Sequence, residues 1–309
     1  MNTRLFLLLA AGLLSALQAS AQQPTANLKV ATLHPILADL AKQVGGSRVE
    51  IIEILKPGSD VHHFEPATRD LATLRGVNLV LAMGKDLESY LGKLTDSLAG
   101  KSRIVEVGHD IPSLKMDPSQ EVFVCCPHHD HSHIDPHWWH SAENMRRAAR
   151  ILAEVFSEAD PAGEDLYEAA AKAAGKRFDE LRRWAAKEIS RIPRRDRKLV
   201  TAHAAFGYFC KEYGFKSLPM LGLSRSDDIS AAHIAQATQF IREEGIRACF
   251  PEDQANPKVL TEMVRSTGVR VGKALVADGT AKEAHTFETM LAHNVRAIVE
   301  ALAPPAEAP

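Results

Sequence analysis

Apolar side chains recur at Leu166, Ala170, Ala174, Phe178, Leu181, Ala185, Ile189 and Ile192, always three or four positions apart. That spacing places them along one face of a helix. Asp160 stands where a cap would, and Pro161 takes the first helical position. Glu164 and Asp165 follow in the first turn, where acidic groups suit the helix dipole, and Pro193 ends the pattern. Such a helix would be roughly 48 Å long at 1.5 Å per residue, enough to cross two compact lobes. Two shorter helices broken at Gly175 are the alternative, although one interior glycine costs only ~1 kcal/mol.

On both sides of this stripe, short apolar runs alternate with amphipathic ones. Strands are predicted at 28–32, 49–55, 78–83 and 103–107, with helices at 35–44, 66–74 and 87–98 between them. The rhythm returns with strands at 198–201, 216–218, 247–250 and 270–275 and helices at 204–213, 230–244, 257–267 and 285–302. Alternation of this kind implies βαβ units and mostly parallel sheets. The predicted fold is α/β: a lobe over 22–159, a linking helix over 160–193 and a second lobe over 194–309. A chain of 309 residues suits two such units. Ligands of such folds sit at the carboxyl ends of the strands, here in the cleft between lobes.

Residues 1–21 are expected to be removed. Arg4, the apolar run from Leu5 to Leu14 and the small-residue site Ala19-Ser20-Ala21 read as a secretory signal cut before Gln22. The apolar run falls short of the roughly 20 residues that span a bilayer, and no cysteine lies near the cut to carry a lipid. No later stretch is apolar enough to span, so the mature chain is expected to be a periplasmic monomer without an integral membrane segment. Export permits disulfides. Cys125 and Cys126 are adjacent and poorly placed to bridge each other, while Cys210 and Cys249 are either a pair or two buried small residues. Lys plus Arg number 37 against 39 Asp plus Glu, a net charge of -2, without the basic excess of a nucleic-acid binder.

Histidine is the unusual entry in the composition: there are 14, and six lie between His128 and His140. Imidazole is the commonest metal-ligand side chain. His62 follows the turn Pro57-Gly58-Ser59-Asp60, His137 closes Asp135-Pro136-His137, His203 follows the strand at 198–201, and Asp278 follows the strand at 270–275. All four fall at strand ends or helix starts, two per lobe. Three imidazoles and one carboxylate make a tetrahedral site suited to Zn²⁺, whereas calcium or magnesium would draw on more carboxylates. The run His128, His129, His131 and His133, within 125–134, has no apolar periodicity. It reads either as a secondary, metal-collecting loop or as a solvated polar one.

The chain resembles the ZnuA/TroA-like metal-binding solute-binding proteins of ABC importers. The resemblance rests on Gly58-Ser59-Asp60-Val61-His62-His63-Phe64-Glu65-Pro66, Asp135-Pro136-His137-Trp138-Trp139, Thr201-Ala202-His203-Ala204-Ala205-Phe206-Gly207-Tyr208-Phe209, Phe250-Pro251-Glu252-Asp253-Gln254-Ala255-Asn256-Pro257-Lys258 and the Asp278 segment. It covers essentially the whole mature chain. The short histidine loop and the Trp-Trp-His sequence look most like the AztC-type zinc-binding members. The resemblance implies two α/β lobes bridged by a long helix, with His62, His137, His203 and Asp278 as ligands. His63 is the rival for the first position, but the family ligand stands two residues before the aromatic, here Phe64. Manganese-selective relatives usually carry Glu at the third position, so His203 leans toward zinc over Mn²⁺, as does the histidine run. Val61 replaces the family's usual proline, His140 an aliphatic residue, and Gly279-Thr280 a small-hydrophobic pair. These departures leave open a minor ligand role for His140, and Glu65, Asp60 or water in place of Asp278. The implied partner is an ABC permease, with a periplasmic metallochaperone as a further candidate for the loop.

A secreted zinc hydrolase is the principal rival. It would need an open coordination position and a base; no His-Glu-x-x-His helix is present, and a carboxylate fourth ligand closes the sphere. A non-enzymatic receptor is therefore expected. A siderophore binder would want a cleft of arginines and aromatics, and a zinc buffer would depend on the histidine run alone.

Overall fold

The protein is described here by a computed structural model covering residues 28–56, 58–115, 134–220, 231–253, 267–279, 281 and 284–304. The expected leader, the run His128 to His133, Cys125, Cys126 and most of the helix expected at 257–267 lie outside the described residues.

Strands β1 (Leu28–Thr32), β2 (Val49–Glu53), β3 (Leu79–Ala82) and β4 (Arg103–Glu106) form a parallel sheet in the order β2-β1-β3-β4. A short antiparallel pair follows, β5 (Leu114–Lys115) with β6 (Ile134–Asp135). The second parallel sheet holds β7 (Lys198–Thr201), β8 (Lys216–Pro219), β9 (Ala248–Phe250) and β10 (Arg270–Val271), in the order β8-β7-β9-β10. Both sheets therefore run second, first, third, fourth. Each reverses its winding beside its first strand, and such switch points open a crevice at the carboxyl ends.

The helices are α1 (Pro35–Gly45), α2 (Thr68–Leu74), α3 (Leu91–Leu98), α4 (Ala142–Ala159), α5 (Glu164–Ile189), α6 (Gly207–Tyr213), α7 (Ala231–Glu243) and α8 (Phe287–Leu302). Successive residues of a strand face opposite sides. Val30, Leu79 and Leu81 thus point inward and Ala31, Val80 and Ala82 outward, the latter onto Leu74, Leu94 and Leu98. In the second sheet Leu199, Ala248 and Phe250 point inward, and Val200 and Cys249 outward onto Leu218 and Ile241. The inward sets of both sheets belong to one cluster, joined through Leu152, Phe156, Phe178, Ala185, Phe287 and Val295 of α4, α5 and α8. Full burial of such side chains stabilises by roughly 1.5–3 kcal/mol each, so the two lobes share their main source of stability.

The long helix α5 runs unbroken through Gly175, where an added Cβ would lie 3.1 Å from Cγ of Arg146; the bare backbone lets α4 approach. Its start differs from expectation. The Asp160 carboxylate does not cap it but takes two hydrogen bonds from the Arg48 guanidinium, both 2.8 Å, and one of 2.7 Å from the Tyr167 hydroxyl. That bond turns Tyr167 inward, and Leu166, expected in the buried stripe, is 59% exposed.

Two further expectations change. The strand predicted over 270–275 pairs only at Arg270–Val271; Leu275 returns as a single parallel bridge to Glu252. Pro251, just past the end of β9, has no N–H to give, and its carbonyl accepts from Leu275 N at 2.8 Å. The suggested Cys210–Cys249 disulfide is absent: both are free, buried thiols, Cys210 in the inner cluster and Cys249 in the outer one, across the sheet from each other. Burial pushes both thiols up to about 12, which keeps them unreactive.

Candidate metal centre

Four loops at the strand ends each deliver one side chain to the crevice. The loop after β2 carries His62. Its backbone N–H donates to Asp60 Oδ1 at 2.9 Å, while buried Val61 anchors the loop beneath it. The rival His63 turns out to solvent, its Nδ1 3.1 Å from Asp60 Oδ2 and its side chain 51% exposed. Glu65 is exposed, and Asp60 serves this turn rather than the crevice.

His137 and His203 are held by matching devices. Asp135 Oδ1 accepts from both the backbone N–H and Nδ1 of His137, each at 2.8 Å. The Glu252 carboxylate accepts from His203 N at 2.9 Å and forms a short bond with its Nδ1. With the Nδ1 proton engaged, each ring presents its Nε2 lone pair to the crevice, the arrangement by which carboxylates fix metal-ligating imidazoles. Asp135 and Glu252 lay within the sequence motifs without a role there. Both share the lobe of the histidine they hold, and Glu252 reaches His203 from 49 positions further along the chain.

Asp278 sits in a segment clamped from two sides. Asn294 brackets Val276, accepting from its N–H at 2.9 Å and donating to its carbonyl at 2.8 Å. The Ala277 carbonyl takes Trp139 Nε1–H at 2.8 Å and His140 Nε2–H at 2.7 Å. His140 thus spends its Nε2 proton on this contact and stands outside the ligand group. Gly279 follows with φ +64, and an added Cβ would come 2.4 Å from Ile36 of α1. The departure at this position is therefore a backbone requirement: only glycine fits both the φ and the approach.

The four side chains converge. One ligand atom from each of His62, His137, His203 and Asp278 lies within 4.8 Å of every other, the largest such group of this kind among the described residues. The Nε2 atoms of His62 and His137 are 3.4 Å apart, and His62 Nε2 is 4.0 Å from Asp278 Oδ1. The three imidazole centroids form a near-equilateral triangle of 5.2–5.4 Å. Burial pushes the His62 imidazole down to about 3, against the pull of Asp278, so it is neutral at physiological pH. Burial also lifts the Asp135 carboxyl to about 7. A buried carboxylate such as Asp278 beside the neutral His62 ring cannot be left uncompensated cheaply. A divalent cation between them would supply that charge, and three nitrogens and an oxygen are a donor set that could complete a tetrahedral sphere.

The chain is similar to known metal-binding proteins. The family model for ZnuA, the periplasmic component A of a zinc-uptake complex, matches residues 30–301. The manganese-binding lipoprotein MntA of Bacillus subtilis is 30% identical over 283 residues, 89% of this chain and 90% of that protein. The zinc-binding protein TroA of Treponema pallidum is 28% identical over 284 residues, covering 89% and 88%. The solved structure of periplasmic zinc-binding TroA from the same organism superposes with a TM-score of 0.79 at 25% identity, over 90% of this chain and 99% of that one.

Proposed function

Because the chain belongs to the ZnuA family of metal-binding proteins that serve ABC transporters, which are not enzymes, we propose that it is a periplasmic zinc receptor. It captures Zn²⁺ with His62, His137, His203 and Asp278 and hands it to a membrane permease. The observation that carries this reading is the convergence of three imidazole nitrogens and one carboxylate within 4.8 Å. Imidazole-rich, oxygen-poor sets suit zinc; manganese favours more oxygen donors. No helix among the described residues is long and apolar enough to cross a membrane. The lobe boundaries at 22–159 and 194–309 and the linking segment at 160–193 belong to the same reading. So does a collecting role for His128, His129, His131 and His133, loaded from solution or by a metallochaperone.

A manganese receptor is the second reading, favoured by the likeness to MntA. Metal analysis of protein purified without added metal, followed by Zn²⁺/Mn²⁺ competition, separates the two. The zinc reading requires bound zinc and displacement of manganese by it. Retention of manganese against equimolar zinc would replace it with the second.

A further inference from the structure

Tyr208 lies in α6 of the second lobe, five residues past ligand His203, yet its hydroxyl reaches into the first lobe. The hydroxyl accepts the Leu114 backbone N–H at 2.9 Å and donates to the Asp135 carbonyl at 3.2 Å; the Pro112 carbonyl, at 3.4 Å, is a weaker second acceptor. Leu114 and Asp135 are partners in the β5–β6 pairing, so one buried hydroxyl ties both strands. Each of these strands is only two residues long. A strand pair that short is not stable by itself, and what it is fastened to decides where Asp135 stands.

The neighbouring residue reinforces the fastening. A Cβ added at Gly207 would lie 2.4 Å from Asp135 Oδ2 and 3.0 Å from Leu114 Cδ2. Gly207 is helical, so glycine is needed there for the close approach and not for its backbone angles. Asp135 is thus held at three points. Tyr208 takes its carbonyl, the backbone of α6 lies against Oδ2, and Oδ1 accepts from the backbone N–H and Nδ1 of His137, each at 2.8 Å.

On the premise that the four-residue centre binds the cation, we propose that Tyr208 is a positioning residue for His137, acting through Asp135 from the opposite lobe. Without the hydroxyl the short strand pair can shift, and the Asp135 carboxylate carries the imidazole with it. His137 Nε2 then leaves the point on which the other three ligands converge. Residues that follow one ligand in the chain thereby aim another, and Tyr208 touches neither ring nor ion to do so.

Tyr208→Phe in the full mature chain keeps the ring and deletes the hydroxyl. Zinc affinity, read by chelator competition, should fall roughly 10-fold, the low end for losing a group that supports a ligand. In an Asp135→Ala background the same change should cost almost nothing further, because the link is already cut. In a Glu252→Gln background it should cost its full factor, since that carboxylate serves the other histidine. A second readout needs no double variant: in ¹⁵N-edited spectra of the zinc-loaded chain, the Nδ1–H proton of His137 should shift and exchange faster in Tyr208→Phe, while that of His203 stays in place. Gly207→Ala, which keeps the hydroxyl and presses a methyl on Asp135 Oδ2, should move the same resonance and serves if Tyr208→Phe does not fold. Wild-type affinity in Tyr208→Phe overturns the proposal, as does an unmoved His137 resonance or an equal further loss in both backgrounds. If the wild-type chain binds no zinc, it is the receptor reading that falls, and the role of Tyr208 falls with it.

Discussion

Glu252 grips His203 twice, at the backbone N–H and at ring Nδ1, and both side chains are fully excluded from solvent. The imidazole can neither flip nor exchange tautomer without breaking a charge-assisted bond in a low-dielectric interior, where such bonds are strongest.

Glu252→Gln should therefore weaken zinc binding by roughly 10–100-fold while leaving all four ligands in place. Titration calorimetry measures this directly. An unchanged affinity would mean that the carboxylate is structural only.

Loss of a ligand should cost more than loss of its support. His137→Ala and His203→Ala are each expected to lower primary-site affinity beyond that roughly 10–100-fold range. Retained tight binding in the His203 variant would contradict the ligand set.

Gly279→Ala tests the seat of Asp278. The left-handed backbone costs a non-glycine residue roughly 1–2 kcal/mol, and the new methyl must displace Ile36. Both the melting temperature and zinc affinity should fall. A melting-temperature drop with unaltered affinity would show that Asp278 is not held through this turn.

The acid response follows from His62. In the unfolded chain its imidazole takes up a proton near its ordinary 6.5, in the folded chain only near 3. Below 6.5 the unfolded state binds more protons, so stability contributed by His62 is full above that pH and lost as pH falls from 6.5 to 3. Comparison of metal-free wild type with His62→Gln by denaturant titration across that range should show the gap between them narrowing as the pH falls. For the same reason, protonation of His62 should not compete with zinc until the pH nears 3–4. A His62-dependent midpoint at 6.5 would show the ring to be solvated.

Deleting 128–133 should remove weak secondary binding and leave the primary affinity intact, as read by stoichiometry and affinity in one titration. Loss of the tight site with the run would favour a buffer.

Much of the molecule was legible in the sequence because its signals are local. The strand Lys198–Thr201 and the placement of His203 just past it follow from a short apolar run and its end. His62, His137 and Asp278 could be picked by the same logic. What escaped was set by distance or by orientation. Glu252 finds His203 through adjacent strands, and nothing near His203 in the chain announces it. The buried face of α5 was misjudged at its first turn because stripes one residue apart fit the same periodicity. The Tyr167–Asp160 bond selects between them.

The core that runs beneath both sheets has a mechanical consequence. Because Phe178, Phe287 and the inward strand residues form one cluster, the halves cannot swing apart as separate bodies without exposing the protein's largest apolar surface to water. Cargo handover must then proceed by peeling back the rim of loops that bears the imidazoles, above a foundation that stays shut. A protease cutting those loops would leave a nicked but undivided molecule, and neither half would be expected to survive on its own.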